Sequence, residues 1–152
     1  MGAPADHFVW PVRVYWEDTD AGGIVFYANY LKFFERARTE WLRTFFARGQ
    51  EALRQAGEGM FVVSETRVRY LKPARLDDEL RITVRLSDIG RASFAVAQQA
   101  WRGDTLLAEG DIRIGWVQSR GDDALRPARL PADFVAGLPA VQDVAQSGVS
   151  SA

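Results

Sequence analysis

Tyr30, Phe34, Ala37, Trp41 and Phe45 recur at spacings of four and three. Residues so spaced share one face of a helix. The pattern predicts a long helix from about Tyr27 to Arg48, stopped at Gly49. Leu31, Phe33 and Leu42 widen its apolar face well beyond the stripe of an ordinary surface helix. Water cannot be the neighbour of most of that circumference, so another layer of the chain has to wrap it. This requirement restricts the possible folds more than any other feature.

The wrapping layer is legible downstream, where the apolar period falls to two. "MFVVSETRVRYL" (60–71) is rich in strand formers, and "ELRITVRLSDI" (79–89) sets Leu80, Ile82, Val84 and Leu86 on one side. "RASFAVAQQAWR" (91–102) and "TLLAEGDIRIGWVQ" (105–118) follow, the latter with Ile112, Ile114 and Trp116 inward. Tight turns around Gly90 and at "RGD" (102–104) imply antiparallel hairpins, whereas "KPARLDD" (72–78) is a longer connection. Ahead of the helix, "FVWPVRVYWE" (8–17) alternates, with Val12, Val14 and Trp16 facing one way. Pro11 cannot donate to a ladder, so this strand starts at an edge or a bulge. "EALRQAGEG" (51–59) reads as a short helical turn and a loop. The expected class is α+β: one long central helix wrapped by a curved antiparallel sheet of about five strands. Residues 1–138 form a single domain, and the small, polar stretch 139–152 reads as a flexible tail.

Composition narrows the function classes. The 152 residues are 47% hydrophobic with a formal net charge of −1. That is enough for a core and offers no basic surplus for nucleic acid or anionic lipid. There is no cysteine, hence no disulfide, thiol nucleophile or thiolate metal site. The first residues show neither a basic nor an apolar leader region, and no apolar run could cross a bilayer. A cytoplasmic protein with no transmembrane segment is expected.

The densest chemistry lies in "EDTDAGGIVFYANY" (17–30). Asp18 and Asp20 flank a turn that leads into the helix. Either they only shape that turn, or one of them performs chemistry. A calcium loop does not fit, because the twelfth position from Asp18 is Asn29 and Gly22 stands where a ligand is required. The helix start offers unpaired amides and a positive dipole end behind Gly22 and Gly23. Glu35 with Arg36 or Arg38 reads as an ion pair on a wet stripe, and the position of Asp18 suits a turn or helix-entry acid that orders the loop. No nucleophile-elbow serine, paired-histidine zinc motif or phosphate loop is present.

"VRVYWEDTDAGGIVFYANYLKFFERARTEWLR" (12–43) resembles the hotdog-fold acyl-CoA thioesterases, in particular the 4-hydroxybenzoyl-CoA thioesterase family and its Tol-Pal-associated, YbgC-like branch. "FVVSETRVRYLKPARLDDEL" (61–80) and "LRPARLPADF" (125–134) carry the resemblance further. It implies that Asp20 is the catalytic carboxylate, as nucleophile or as general base. It implies that the Tyr27 backbone N–H is the oxyanion donor. Gly23, Arg91, Ser93 and Arg126 would bind substrate and its CoA, and Glu65, among residues that line the site in related folds, would be a candidate second carboxylate. The family's basic residue between Arg91 and Ser93 is Ala92 here. Tyr27 stands where the Tol-Pal branch carries His, as in the 4-hydroxybenzoyl branch, and the sole histidine, His7, precedes the first strand. No metal or organic cofactor is implied. The implied partners are acyl-CoA, or an acyl carrier protein, and further copies of the chain in a homodimer or dimer of dimers (a homotetramer). Two other readings share the fold: a non-catalytic acyl-binding or envelope-complex module, and a hotdog dehydratase or hydratase.

Overall fold

The computed structural model describes residues 3, 7–119, 121 and 124–142. Six strands and three helices follow in order: β1 (Phe8–Arg13), α1 (Asn29–Arg43), α2 (Gln50–Gln55), β2 (Met60–Tyr70), β3 (Glu79–Ile89), β4 (Ser93–Arg102), β5 (Thr105–Ser119), β6 (Leu125–Pro127) and α3 (Ala132–Gly137). The strands form one sheet in the order β1-β3-β4-β5-β2, with β6 beside β5. The expected α+β class with an antiparallel sheet is borne out, with one strand more than expected. β3, β4 and β5 are sequence neighbours and sheet neighbours, as their tight turns require. β2 instead lies at the far end of the order, so the connection through Pro73 leads from one edge region to the opposite side of the strand order.

β1 pairs antiparallel with β3, from Phe8 opposite Val84 to Arg13 opposite Glu79. Pro11 therefore sits on an edge strand, where its missing N–H costs nothing. The strand is shorter than its alternation suggested. After Arg13 the chain leaves the sheet, and Trp16–Asp18 form a 3-10 turn. Val12 and Val14 are buried, but Trp16 is 74% exposed, so the shared face does not extend to it. The physical cause is the Asp18 carboxylate, which accepts the Tyr15 amide at 2.8 Å and folds the backbone back.

α1 is also shorter than its apolar period. Its entry is tightened by Asn29, Tyr30 and Leu31 amides bonding carbonyls three residues back. At the other end both Phe45 and Phe46 amides converge on the Leu42 carbonyl, at 3.2 and 2.8 Å. The chain turns there and buries Phe46, leaving Phe45 half-buried. Gly49, with φ at +78°, opens α2 rather than stopping α1. Leu31, expected on the apolar face, is exposed.

Two compact units can be described. The first comprises Met1–Trp41, Arg67–Arg85 and Ala97–Asp111. In it Tyr30, Phe33, Phe34, Ala37 and Trp41 of α1 are buried together with Leu80, Ile82 and Val84 of β3 and Leu107 of β5. One polar residue joins this core. Gln98 of β4 is 1% exposed; its Nε2 donates to the Phe34 carbonyl at 3.0 Å, and its Oε1 accepts from Arg38 Nη1 at 3.1 Å. Burial pulls the Arg38 pKa down. Arg38 is thus anchored against the sheet rather than in a wet ion pair, and Glu35 accepts the Thr39 hydroxyl instead.

The second unit comprises Leu42–Thr66, Leu86–Val96 and Ile112–Ala152. Its centre is Phe134 of α3, fully buried and ringed by Phe46, Phe61 and Phe94 at centroid distances of 5.5, 5.0 and 5.1 Å. Arg48 bonds both carboxylate oxygens of Asp133 and both of Glu58, pinning α3 and the loop before β2 to the connection ahead of α2. Of the stretch read as a tail, residues 143–152 lie outside the described residues. The Gln142 amide donates to the Leu86 carbonyl at 2.9 Å.

Candidate active site

Everything from Asp18 to Tyr30 is local, and local hydrogen bonds shape it. The Asp20 amide donates to the Ile24 carbonyl at 2.9 Å, and the Gly23 amide returns to the Asp20 carbonyl at 3.1 Å. Gly23 takes φ of +78°, a conformation glycine adopts without penalty. The Leu76 amide closes onto the Gly23 carbonyl at 3.0 Å, and the Val25 amide onto that of Ala74 at 2.9 Å. The loop is therefore a small hairpin stitched to the segment ahead of β3.

Within it the two acids have different surroundings. Asp18 is buried, with its carboxylate on the Tyr15 amide and its carbonyl accepting the Phe26 amide and the Asn29 side chain. It orders the loop. Asp20 is exposed. Its Oδ1 accepts the Gly22 amide at 2.8 Å and that of Ile24 at 3.4 Å, while its Oδ2 has no hydrogen-bond partner among the described residues. One oxygen is held and the other faces outward. That is the arrangement a positioned base or nucleophile needs.

The amides of Gly22 and Gly23 are thus spent on Asp20 itself. The unpaired donors lie further on. Among the described residues neither the Tyr27 nor the Ala28 amide has an acceptor, and both precede the first turn of α1. Tyr27 is 62% exposed; its ring lies 4.8 Å from that of Phe26 and 5.9 Å, edge-on, from that of Tyr70. Tyr70, at the end of β2, was not singled out in the sequence. Its only signal there was an aromatic residue closing a strand.

The second unit brings together the other residues singled out. Gly90 and Arg91 lie in the turn before β4. The Trp116 amide donates to the Ala92 carbonyl, the Ala128 amide to the Trp116 carbonyl, and the Leu130 amide to the Arg91 carbonyl, at 2.9 to 3.0 Å. These bonds set the segment that carries Arg126 beside β5 and then beside Arg91, in line with the pairing of Arg126 opposite Gln118. The Ser93 hydroxyl accepts from Arg113 Nη1 at 2.8 Å, and Arg113 Nη2 reaches Asp88 at 2.6 Å. Arg113, a basic residue between two inward isoleucines, was missed because its alternation reads as an ordinary wet position. Glu65 is exposed on β2, and His7 is half-buried ahead of β1. A separate cleft of about 510 Å³ is lined by Arg13, Tyr15, Trp16 and Asp77 among others, and by neither Asp20 nor Tyr27. Among the described residues no group of three or more His, Cys, Asp or Glu could hold a metal ion.

A profile of the thioesterase-like superfamily matches residues 14–138. The chain belongs to this superfamily. Membership, with the named relatives below, bears out the enzyme class read from the stretch at residues 12–43: a thioester hydrolase. The acyl-CoA thioester hydrolase YbgC of Escherichia coli O6:H1 is 42% identical over 130 residues, which cover 85% of this chain and 93% of the relative. The crystal structure of a probable thioesterase from Bartonella henselae matches with a TM-score of 0.74 at 33% identity, over 82% of this chain and 99% of that one. The structure of 4-hydroxybenzoyl-CoA thioesterase from Pseudomonas sp. strain CBS-3 matches with a TM-score of 0.73 at 23% identity, over 87% and 99%. At that identity it shows the shared hotdog fold of the thioesterase-like superfamily and nothing further.

Proposed function

We propose that the chain hydrolyses acyl-CoA thioesters to a free acid and CoA, with Asp20 as the acting carboxylate and the Tyr27 amide as the oxyanion donor. The observation that carries this reading is the divided state of Asp20. Its Oδ1 is fixed by two loop amides, its Oδ2 is unoccupied, and the same loop ends in the unpaired amide of Tyr27. Oδ2 adds to the thioester carbonyl carbon, or removes a proton from the water that does. The carbonyl oxygen then carries negative charge, which a fixed N–H at a helix start stabilises without reorganising. The C–S bond breaks, and the thiolate is a leaving group good enough to need no acid; where Oδ2 itself adds, water then hydrolyses the resulting Asp20 anhydride to release the free acid. A histidine-dependent dehydratase or hydratase has only His7 available, ahead of β1.

Arg91 and Arg126, with the Ser93 hydroxyl held by Arg113, form the basic region suited to the phosphates of CoA. Gly23 supplies the turn that holds Asp20. The same thioester presented on an acyl carrier protein would meet the same loop. The enzyme works in the cytoplasm as a homodimer or dimer of dimers, without a metal or organic cofactor. β2 supports assembly: it ends the strand order, most of its residues are exposed, and among the described residues no strand pairs its outer side.

The deciding experiment is release of free thiol from acyl-CoA by the wild-type protein and by Asp20→Asn. The variant is expected to lose about two to four decades of turnover with its fold intact. Near-wild-type turnover would reject Asp20.

A further inference from the structure

Four aromatic rings meet at the entry of α1 within the first unit. Tyr30 is buried, and its hydroxyl is fixed by accepting the Ala74 amide at 3.1 Å. Tyr70 leans on that fixed ring at 5.5 Å and stands edge-on to Tyr27 at 5.9 Å. Phe26 flanks Tyr27 at 4.8 Å. The inner ring is thus rigid, while Phe26, Tyr27 and Tyr70 stay 47%, 62% and 46% exposed. The hydroxyls of Tyr27 and Tyr70 have no hydrogen-bond partner among the described residues.

We infer that Tyr70 determines acyl selectivity: braced by Tyr30 and set against Tyr27, its ring forms a wall that favours planar, aromatic acyl groups over flexible alkyl chains. The inference rests on the Tyr27 amide binding the thioester oxygen as proposed above. The acyl substituent is bonded to the same carbonyl carbon, so its first atoms fall within reach of the ring borne by the donor residue. Rings set edge-on or tilted leave their other faces open to a further ring, and such pairs gain beyond simple burial. A planar group gives up little rotamer freedom against that wall, whereas an alkyl chain must freeze several torsions. The unpaired hydroxyls add donors for a polar substituent on such a ring. Burial, and then the neighbouring Tyr27, raise the Tyr70 pKa, which keeps that hydroxyl protonated and able to donate.

The test compares benzoyl-CoA with heptanoyl-CoA for wild type, Tyr70→Leu and Tyr70→Phe, by kcat/KM and by competition binding to the Asp20→Asn protein. The aryl substrate should lead in wild type. Tyr70→Leu should cut the aryl-to-alkyl ratio about three- to tenfold, and Tyr70→Phe should restore most of it. A ratio unmoved by Tyr70→Leu, or a wild-type preference for the alkyl chain, overturns the inference. So does a variant that changes oligomeric state and depresses both substrates equally, because the ring would then face a second copy of the chain. If wild type hydrolyses neither substrate the thioesterase reading fails, and the affinity ratio alone decides the role of Tyr70.

Discussion

Asp18 and Asp20 stand two residues apart, and their hydrogen bonds give them different surroundings. A carboxylate buried on an amide is committed to structure; one with a free oxygen is available to a substrate. The local hydrogen bonding of both acids was legible in the sequence because it runs within a few residues of each. Gln98 was not legible. A polar letter inside an alternating strand gives no sign that it closes the Phe34 carbonyl and receives Arg38. At this scale we expect Arg91→Ala and Arg126→Ala to raise KM for acyl-CoA far more than they lower kcat. They would hold phosphates remote from the bond that breaks. On a short acyl thioester without the nucleotide the effect should shrink; equal losses on both substrates would point to folding instead. Tyr30 gives a pH signature. Burial raises its pKa above the ordinary value of about 10, against the opposing pull of the Ala74 amide. The native state therefore holds this proton more tightly than the unfolded chain. Its contribution is complete below about pH 10 and is lost as pH climbs through the native value. Denaturant titrations in that alkaline window should show a flatter decline for Tyr30→Phe than for wild type.

At the scale of elements, period decided what could be read. The helix and the long strands announce themselves over ten residues or more. β6 spans three residues and α3 six, too few for a period, and α3 is held by buried Phe134 and by the Arg48–Asp133 pair. The ends of α1 and β1 were misplaced for a related reason. Apolar spacing continues through Phe45 and Trp16, while the backbone turns earlier to satisfy hydrogen bonds at Leu42 and Asp18. The loop before β2 carries its own constraint. Gly59 has φ of +140°, and a Cβ there would lie 2.6 Å from the Val117 carbonyl oxygen and 2.7 Å from the Trp116 ring. Gly59→Ala should therefore destabilise the protein by more than about 2 kcal/mol, read as a fall in the denaturation midpoint. Gly57→Ala, at φ of +72° with nothing within 4 Å of the added Cβ, should cost less.

For the whole molecule the open question is how many copies work together. β2 offers eleven residues of strand at the end of the sheet order, with Met60 and Val63 among its exposed apolar side chains. An isolated copy would present a pairing edge of just the kind that proteins cover or blunt. Two copies about a two-fold axis can cover it symmetrically. We expect at least a dimer at micromolar concentration and loss of activity on dissociation. Light scattering on active protein is the measurement, and a fully active monomer would contradict the expectation.

The indole that left the sheet early gives the protein an optical handle. Trp41 and Trp116 are shielded, whereas Trp16 stands in water two residues ahead of Asp18. Shielded indoles emit at shorter wavelengths and resist collisional quenchers; an open one emits to the red and yields to them. Trp10 is partly open at 37% and Trp101 half-buried, so the most quenchable part of the emission belongs to Trp16, at the doorstep of the Asp18–Asp20 loop. Anything that settles there, whether substrate or another copy of the chain, writes its arrival into the colour of the light.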